Sequence, residues 1–411
     1  MSAVGMQEAP TWLGVTWQRR LLVAAMLVDT VGGGLFAPFE LVYAMRISHL
    51  SLATAGLILS IAAACGVAIG PLAGAAADRT SPARVVAAAD LLGAAGCASL
   101  LLWPSAWGYA LGAFLLGAGM RVFWGAFTPL VASIAAPHEL ESWFGRIRGA
   151  RLAGISAGQS LSGVAFLAGQ EAGLRLIVAA NAVSFVASLI LVLLASRGAR
   201  GPKDREHGET ASGYGVVLAD RVNLALAGLN VIPTLLLTAP VMAIPVFALD
   251  HLHLPAWLPG IVTGLITATT AIGLVWSQRL VRGRRRLRNL QLAASLWAIA
   301  CASLLLAPLA PAVAFATLLF AAILFGIGEA VYAPTADALA AALAPPNLQG
   351  RYAAIHQLAW PVSETVAPTL VALTLGAHGT LWEVLAAIAL AGVIAWRSLE
   401  TTVGGRDGIA G

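Results

Sequence analysis

Charged residues are scarce in this sequence: Asp, Glu, Lys and Arg make up 10% of its 411 residues, whereas hydrophobic residues make up 59%. Soluble domains carry roughly 25% charged residues. A water-exposed surface cannot be built from so little charge, so a soluble globular fold is excluded. Cysteine is also rare. Cys65, Cys97 and Cys301 have neither metal-ligand nor redox spacing, and we interpret them as small buried apolar residues.

Signatures of catalysis are missing as well. The sequence has no H-E-x-x-H zinc motif, no P-loop and no phosphate-binding glycine loop after a strand. Enzymes need a convergent nucleophile and base, or a set of metal ligands. We therefore predict no enzyme activity, no cofactor and no metal site. The absence of a nucleotide site also argues against a self-contained primary pump, and a non-transporting membrane sensor is the remote alternative.

Long apolar runs are what the sequence does contain. Each is about 20 residues long, which lets a helix cross a hydrocarbon core of roughly 30 Å. Helices satisfy their own backbone groups in lipid, and barrel strands would alternate polar and apolar residues, so we predict an all-α membrane protein of about twelve transmembrane helices. The predicted spans are 20–44, 52–76, 83–103, 106–132, 148–168, 174–195, 222–248, 257–280, 288–309, 312–336, 352–376 and 380–397.

The distribution of Lys and Arg predicts the orientation. With the N-terminus inside, all 24 of these residues except Arg46, Arg121 and Arg175 lie on the cytoplasmic side, including Arg151. We predict a multi-pass protein of the inner (plasma) membrane with both termini cytoplasmic. The arginine cluster at 282–288 fits a topology signal that contacts anionic lipid headgroups, and we predict no nucleic-acid partner. The first 18 residues lack a signal-peptide pattern, so the first span is expected to be retained.

One long polar stretch divides the chain. Residues 197–215 are rich in turn formers and mixed charges, which is typical of a flexible cytoplasmic linker. We predict six-helix bundles at 1–196 and 216–411. The bundles resemble each other at an offset of 209 residues. Four residues carry that resemblance: Gly117, Gly119, Phe123 and Pro137 match Gly326, Gly328, Tyr332 and Pro346.

A short motif between spans two and three suggests a family. Residues 74–84 read G-A-A-A-D-R-T-S-P-A-R, which resembles the G-x-x-x-D-R-x-G signature of the major facilitator superfamily. Ser81 replaces the second glycine and the basic tail is thinned to Arg84. Span four reads L-L-G-A-G-M-R-V-F-W-G, with Arg121 where many members place a membrane-embedded arginine. Residues 181–185 and 350–352 are similar to segments of bacterial drug and metabolite efflux members.

The resemblance implies a conformational latch formed by Gly74, Asp78, Arg79 and Arg84. Gly74 would allow close helix packing, and Asp78 would pair with Arg79 or lie at the start of span eleven near Arg351. Such contacts would exist only while the cytoplasmic side is closed. The alternative is that Asp78 is an ordinary surface acid in a loop.

Ionisable residues within the spans indicate the mechanism, because membrane-embedded charges are costly and usually face a cavity or a partner. Asp29 and Glu40 in span one are eleven residues apart, which on a continuous helix places them about 20° apart and about 16 Å along the axis. We predict that a desolvated Asp29 binds a proton near neutral pH or recognises a cation. The alternative is a structural ion pair with Arg121.

Other residues complete the predicted cavity. Glu329 and Glu364 are equally compatible with functional and structural roles, and aromatic rings beside acids would suit an amphipathic or cationic organic substrate. Asp337 is expected to reach the headgroup region, and Asp90, Gln159, Asn181 and Asn230 are expected to form interhelical hydrogen bonds. The predicted cavity residues are Asp29, Glu40, Arg121, Trp124, Glu329, Tyr332, Trp360 and Glu364.

The resulting functional hypothesis is a secondary transporter that works by alternating access as a monomer. Its leading form is efflux of a small organic molecule, drug or metabolite, coupled to a proton or to sodium. The alternative is a proton symporter that imports a sugar or another metabolite. A symporter of that kind would be expected to show more clustered polar side chains in its spans than this sequence has.

Overall fold

Helices form the whole framework of the part of the chain that the structure describes. The computed structural model describes residues 17–134, 140–196, 214–281, 285–345, 348–377 and 379–403. The helices of the N-terminal half are α1 (Trp17–Phe36), α2 (Glu40–Arg46), α3 (Leu52–Gly66), α4 (Ile69–Arg79), α5 (Pro82–Leu102), α6 (Ala106–Ile134), α7 (Leu140–Ala165) and α8 (Gln170–Ala195). Those of the C-terminal half are α9 (Tyr214–Ala219), α10 (Arg221–Leu229), α11 (Val231–Val246), α12 (Leu258–Val281), α13 (Arg286–Leu304), α14 (Pro311–Leu343), α15 (Gln349–Gln357), α16 (Ala359–Ala377) and α17 (Leu381–Val403).

The number of membrane spans agrees with the sequence prediction. Among the described residues, 11 helical segments are long and apolar enough to cross a membrane, and each matches one predicted span. The remaining predicted span is α7, whose 26 residues would extend about 39 Å. Arginines in its first half lower its hydropathy, yet α7 packs between α1 and α12. The all-α membrane fold is therefore confirmed.

Span one is interrupted, which corrects one predicted geometry. Helix α1 ends at Phe36, a 3₁₀ turn covers Ala37–Phe39, and α2 begins at Glu40. Pro38 lies in the first turn of this segment, where its missing N–H removes a helical hydrogen bond. The prediction that Asp29 and Glu40 share one face of a continuous helix is therefore wrong.

The two halves repeat the same packing order. Helix α5 packs on α6 and α8, and α13 packs in the same way on α14 and α17. Gly119 of α6 faces α5, since a Cβ there would lie 2.9 Å from the Ala89 carbonyl oxygen, and Gly328 of α14 faces Trp297 of α13. This pair confirms part of the 209-residue repeat. Gly117 and Gly326 differ, because Gly117 faces open space whereas Gly326 packs on α12.

The close helix packing between the halves lies on the predicted external side. Helix α3 packs on α16, where a Cβ on Gly56 would lie 2.5 Å from the Pro368 carbonyl oxygen. The Thr369 hydroxyl donates to Ser60 Oγ at 2.7 Å across the same contact. Helix α7 packs on α12 in the same region of the membrane. Small residues thus let the halves meet closely on that side.

The external ends of spans one and seven are built alike. His49 and His253 both have positive φ, 54° and 51°. Beside them, Leu50 N–H donates to the Ala44 carbonyl at 3.0 Å, and Leu254 N–H donates to the Ala248 carbonyl at 2.9 Å. Each span ends in a left-handed residue followed by a bond back over six residues, a motif that usually has glycine at the left-handed position. The two loops therefore hold the helix ends that face each other across the halves.

Several predictions fall outside the described residues. They include most of the predicted linker, residues 197–213, together with Pro137, Pro346, Arg282 and Arg284. The side chain of Asp78 also lies outside the described part. For these residues the expectations from the sequence stay predictions.

Candidate functional site

An ion pair joins the two halves near the middle of the membrane. The Arg121 guanidinium of α6 donates to the Glu364 carboxylate of α16, and the two side chains are 16% and 31% exposed. A guanidinium stays charged at any accessible pH and needs an acceptor. The predicted alternative, in which Asp29 is the partner of Arg121, is wrong because α16 brings a carboxylate directly to it.

A second arginine belongs to the same site. Arg151 of α7 places its guanidinium over the Trp124 ring, 4.4 Å from the centroid. It interacts electrostatically with Asp29 of α1 and with Glu329 and Glu364 of the C-terminal half. The prediction that Arg151 lies on the cytoplasmic side is therefore corrected, because this arginine faces membrane-embedded acids.

The local packing of α7 explains the position of Arg151. Gly154 and Gly158 pack against α1, at Thr30 and Val31. Arg151 precedes Gly158 by seven residues, about two turns, so both lie on the same face of the helix. Two close-packing glycines on that face were a sequence signal that Arg151 turns toward α1, and our sequence analysis missed it.

Glu329 adds a third acid to the site. The Thr270 hydroxyl of α12 donates to Glu329 Oε2 at 2.9 Å, and the carboxylate interacts with Arg151 and Arg148. We call the following set the central charge cluster: Asp29, Arg121, Arg151, Glu329 and Glu364, with Trp124 beside Arg151. It contains three carboxyl groups and two guanidinium groups, so if all are ionised one negative charge is in excess. Arg148, which also interacts with Glu329, is not counted because it is paired with Asp337.

Asp29 also opens onto a small cavity inside the N-terminal half. Residues of α1, α5, α6, α7 and α8 line this cavity, and most of them are apolar, including Met26, Phe123 and Val192. Asp29 and Ser188 are its polar lining residues. The Asp29 carboxyl therefore lies between the central charge cluster and the interior of the N-terminal helices.

Three predicted cavity residues are not brought into the cluster. Glu40 lies near Cys97 and Tyr109 within the N-terminal half. The Tyr332 hydroxyl donates to Asn230 Oδ1 at 2.7 Å and its ring meets Trp297 edge-on, so Tyr332 is buried among C-terminal helices. Trp360 is half-buried on α16, one turn before Glu364.

Two further ion pairs connect the halves. Arg46 of α2 pairs with Asp250 on the predicted external side, and the side chains are 42% and 20% exposed. Arg148 of α7 pairs with Asp337 of α14 at 3.6 Å toward the predicted cytoplasmic side, with both side chains more than half exposed. Asp337 therefore faces an arginine, which differs from the predicted contact with headgroups.

Two of the four polar residues that we expected to form interhelical hydrogen bonds, Gln159 and Asn230, do so. Thr267 of α12 donates to Gln159 Oε1 of α7 at 2.7 Å. Asn230 donates to the His356 carbonyl and accepts from Tyr332. Asp90 of α5 interacts with Ser188 of α8 and Asn181 of α8 with Cys97 of α5, whereas the hydrogen bonds of Asn181 are with Ser184 of its own helix.

The predicted latch is described only in part. Gly74 lies against α6, where a Cβ would be 3.8 Å from the Gly125 carbonyl oxygen. Arg79 and Arg84 are exposed at the cytoplasmic ends of α4 and α5. Because the Asp78 side chain lies outside the described part, its pairing near Arg351 stays a prediction.

The described part of the chain contains no set of side chains placed to bind a metal ion. Within those residues, no group of three or more His, Cys, Asp or Glu side chains is placed to hold a metal ion. The acids of the central charge cluster face arginines instead. Their partners fit charge compensation within the protein better than they fit metal binding.

Comparison with known sequences identifies one family. The model described as the Major Facilitator Superfamily matches residues 21–316. Among curated proteins, none has a sequence similar enough to this chain to count as a relative.

Solved transporter structures share the fold. A bacterial homologue of the iron transporter ferroportin in an inward-facing state has a TM-score of 0.74 and 17% identity, covering 95% of this chain and 99% of that one. The nucleoside transporter NupG has a TM-score of 0.78 and 13% identity, covering 93% and 99%. An auto-inhibited peptide transporter of the POT family has a TM-score of 0.76 and 13% identity, covering 95% and 97%. At these identities the similarity is one of fold alone.

Proposed function

Since this chain belongs to the Major Facilitator Superfamily and is a secondary transporter, we propose that it exports a small organic molecule in exchange for protons. The substrate would be a drug-like or metabolite molecule that carries a cationic or amphipathic group. The observation that carries this proposal is the central charge cluster, which joins acids of both halves to two arginines.

The charge balance of the cluster supports proton coupling. Three carboxyls face two guanidiniums, and an uncompensated charge within the membrane is costly. One proton, or the cationic group of a substrate, neutralises the excess negative charge. Proton and substrate would therefore compete for the same acids, which is the requirement for exchange.

The Arg121–Glu364 pair supplies the coupling to conformation. It links α6 to α16, so it holds the halves together while Glu364 is ionised. Protonation of Glu364 removes the attraction and frees the halves to rock about the site. The close helix packing between the halves lies on the predicted external side, as expected of a transporter closed outward, and the Arg148–Asp337 pair toward the cytoplasmic side is exposed. Asp29 keeps its proposed role as a coupling acid, now with Arg151 as its partner.

The surroundings of the cluster favour an amphipathic substrate. Trp124 is 39% exposed beside Arg151, and Trp360 is close in sequence to Glu364. An aromatic face can accept a cation once the arginine above it moves. The direction of transport is supported by the segments that resemble efflux members, including Gly350 to Tyr352.

The proposal includes the membrane setting and the latch. We propose an inner-membrane location with both termini cytoplasmic, two six-helix bundles at 1–196 and 216–411, and a monomer that uses a proton or sodium. The proposed latch consists of Gly74, Asp78, Arg79 and Arg84. Import of a sugar by symport is the competing proposal, and the few clustered polar side chains in the spans of the sequence argue against it.

Transport by purified protein in vesicles tests the function. We would measure pH-gradient-driven movement of lipophilic cations such as tetraphenylphosphonium, of antibiotics and of sugars, for the native protein, Glu364→Gln and Asp29→Asn. Asp337→Asn is the matched control, because it also removes one acid from an ion pair between the halves, but at an exposed position. We expect a proton gradient to drive export of at least one cation by the native protein. We expect Glu364→Gln and Asp29→Asn to abolish this gradient-driven export.

Opposite outcomes would overturn the proposal. Gradient-driven uptake of a sugar together with protons would establish the symporter instead. Transport that persists unchanged without a proton gradient would reject proton coupling, and a matching sodium dependence would identify the other coupling ion.

A further inference from the structure

One buried acid is not used by the mechanism above. Asp90 lies in the middle of α5, is 2% exposed, and its Oδ2 atom has no hydrogen-bond partner among the described residues. A buried carboxylate oxygen without a donor is expensive, and more so within a membrane. The burial of Asp90 therefore indicates that its carboxyl carries a proton or has a role in transport.

The surroundings of Asp90 contain an acid where a cation would be expected. The carboxyl interacts electrostatically with Asp29 and also interacts with the Ser188 side chain. The helices packed on α5 carry other ionisable residues, namely Asp78 and Arg79 on α4, Tyr109 and Arg121 on α6, and Glu171 and Arg175 on α8. The interactions of Asp90 are instead with Asp29 and Ser188. Two interacting carboxyls titrate as a pair, and such a pair favours one shared charge.

Ser188 connects the two acids. Its side chain is 3% exposed, it interacts with Asp90 across the packed helices α5 and α8, and it lines the same cavity as Asp29. That cavity is large enough to hold a water molecule, and Asp29 and Ser188 are its polar lining residues. A hydroxyl can accept a proton from one side while it donates to the other.

We propose that Asp90 is a second proton-binding residue of this transporter, linked to Asp29 through Ser188 and the cavity. When Asp29 is deprotonated and pairs with Arg151, the one proton shared by the two acids resides on Asp90. In the transfer step the Asp90 O–H bond breaks and the proton passes to Ser188 Oγ, while the Ser188 hydroxyl proton moves through the cavity water to a carboxylate oxygen of Asp29. No proton is gained or lost, and the negative charge moves from Asp29 to Asp90.

The link orders the ionisable groups into a path. Glu329 and Glu364 of the C-terminal half interact with Arg151, Arg151 interacts with Asp29, and Asp29 interacts with Asp90. A proton held on Asp90 is kept away from the interface of the halves, where substrate competes for the other acids. This inference rests on the proposed proton coupling, but the proton on Asp90 can be observed without any transport.

Infrared spectroscopy tests this site directly. Difference spectra of the purified protein in lipid, recorded on a pH jump, report the C=O stretching band of carboxyl groups that gain or lose a proton. We expect a band that disappears in Asp90→Asn and shifts in Ser188→Ala and in Asp29→Asn. Ser184→Ala is the matched control. Ser184 lies one turn earlier on α8, is 7% exposed, and donates to the Asn181 carbonyl of its own helix at 2.8 Å.

The outcomes separate this inference from the proposed function. A band unchanged in Asp90→Asn, or equally shifted in Ser184→Ala and Ser188→Ala, would overturn the role of Asp90. If Asp90→Asn does not fold, the comparison of the two serine variants still decides the matter. If the native protein shows the Asp90 band but no gradient-driven transport, the site stands and the proposed function fails.

Discussion

The two halves of the molecule contribute opposite charges to the contacts between them. Among the described residues, three ion pairs join the halves, and in each the arginine belongs to the N-terminal half and the acid to the C-terminal half. These pairs are Arg46–Asp250, Arg121–Glu364 and Arg148–Asp337. The acids can be neutralised by protons whereas the arginines cannot. The C-terminal half is therefore the side on which protonation weakens the attraction.

The three pairs differ in exposure. We expect the effect of breaking a pair to be larger where its side chains are less exposed. The side chains of the central pair are 16% and 31% exposed, those of the external pair 42% and 20%, and those of the cytoplasmic pair 54% and 61%. Exposed ion pairs contribute little because water screens them, whereas breaking a buried pair leaves an uncompensated charge. The ranking predicts large effects in the middle of the membrane and small effects at the cytoplasmic side.

Charge reversal at the central pair should have the largest effect. Glu364→Arg places two cations together, and we expect it to lower gradient-driven transport about 100-fold. The swap Arg121→Glu with Glu364→Arg restores the pair and should recover part of the activity. Transport rates in vesicles at equal protein content measure this. If the swap is no better than the single reversal, the pairing itself is not what matters.

Packing on the external side should matter next. Gly56→Val puts a side chain where a Cβ already lies 2.5 Å from the Pro368 carbonyl oxygen, and overpacking costs about 1–3 kcal/mol. We expect the closed external side to become about tenfold less populated. Gly70→Val in α4 is the matched control, because a Cβ there meets nothing within 4 Å.

Labelling of a buried interface position measures that shift. Ser60 is 8% exposed and bonds with Thr369 across the halves. Cys65 is exposed, unlike the buried position that we predicted, so Ser60→Cys in a Cys65→Ser background reports external opening. An impermeant maleimide added outside should label it faster in the Gly56 variant only. Equal labelling in the Gly70 control would mean that the effect is a general loosening of the fold.

The external ion pair should have a smaller effect. Asp250→Asn removes a partly exposed pair worth about 0.2–1 kcal/mol, so external labelling at Ser60→Cys should rise by at most about fivefold. High salt should reduce the difference between the variant and the native protein, because salt screens exposed charges. A rise that is independent of salt would contradict an electrostatic origin.

The cytoplasmic pair should have the smallest effect. Both side chains of Arg148 and Asp337 are more than half exposed and 3.6 Å apart, so Asp337→Asn should change transport by less than about twofold. The vesicle assay used for the central pair provides the measurement. A loss close to that of Glu364→Gln would reject the ranking by exposure and would extend the coupling path to Asp337.

Part of the site was predictable from the sequence, and the reason lies in the hydrocarbon environment. Asp29, Arg121, Glu329 and Glu364 were predicted as functional because charges persist within membrane spans only where they have partners. Arg151 was missed because it lies near the start of the predicted span 148–168, where positive charge usually indicates topology, although the helix itself already begins at Leu140. Glu40 was wrongly aligned with Asp29 because the helix break at Pro38 changes the angle between them.

The sequence by itself determined that this is a helical membrane protein, where its spans lie and to which superfamily it belongs. These properties depend on hydrophobicity along single helices and on a short local motif. Only the tertiary structure decided which charges meet. Arg121 and Glu364 are 243 residues apart, and their contact exists because α6 and α16 are brought together by the packing of the two halves. Hydropathy along one helix carries no information about which face of a distant helix lies opposite.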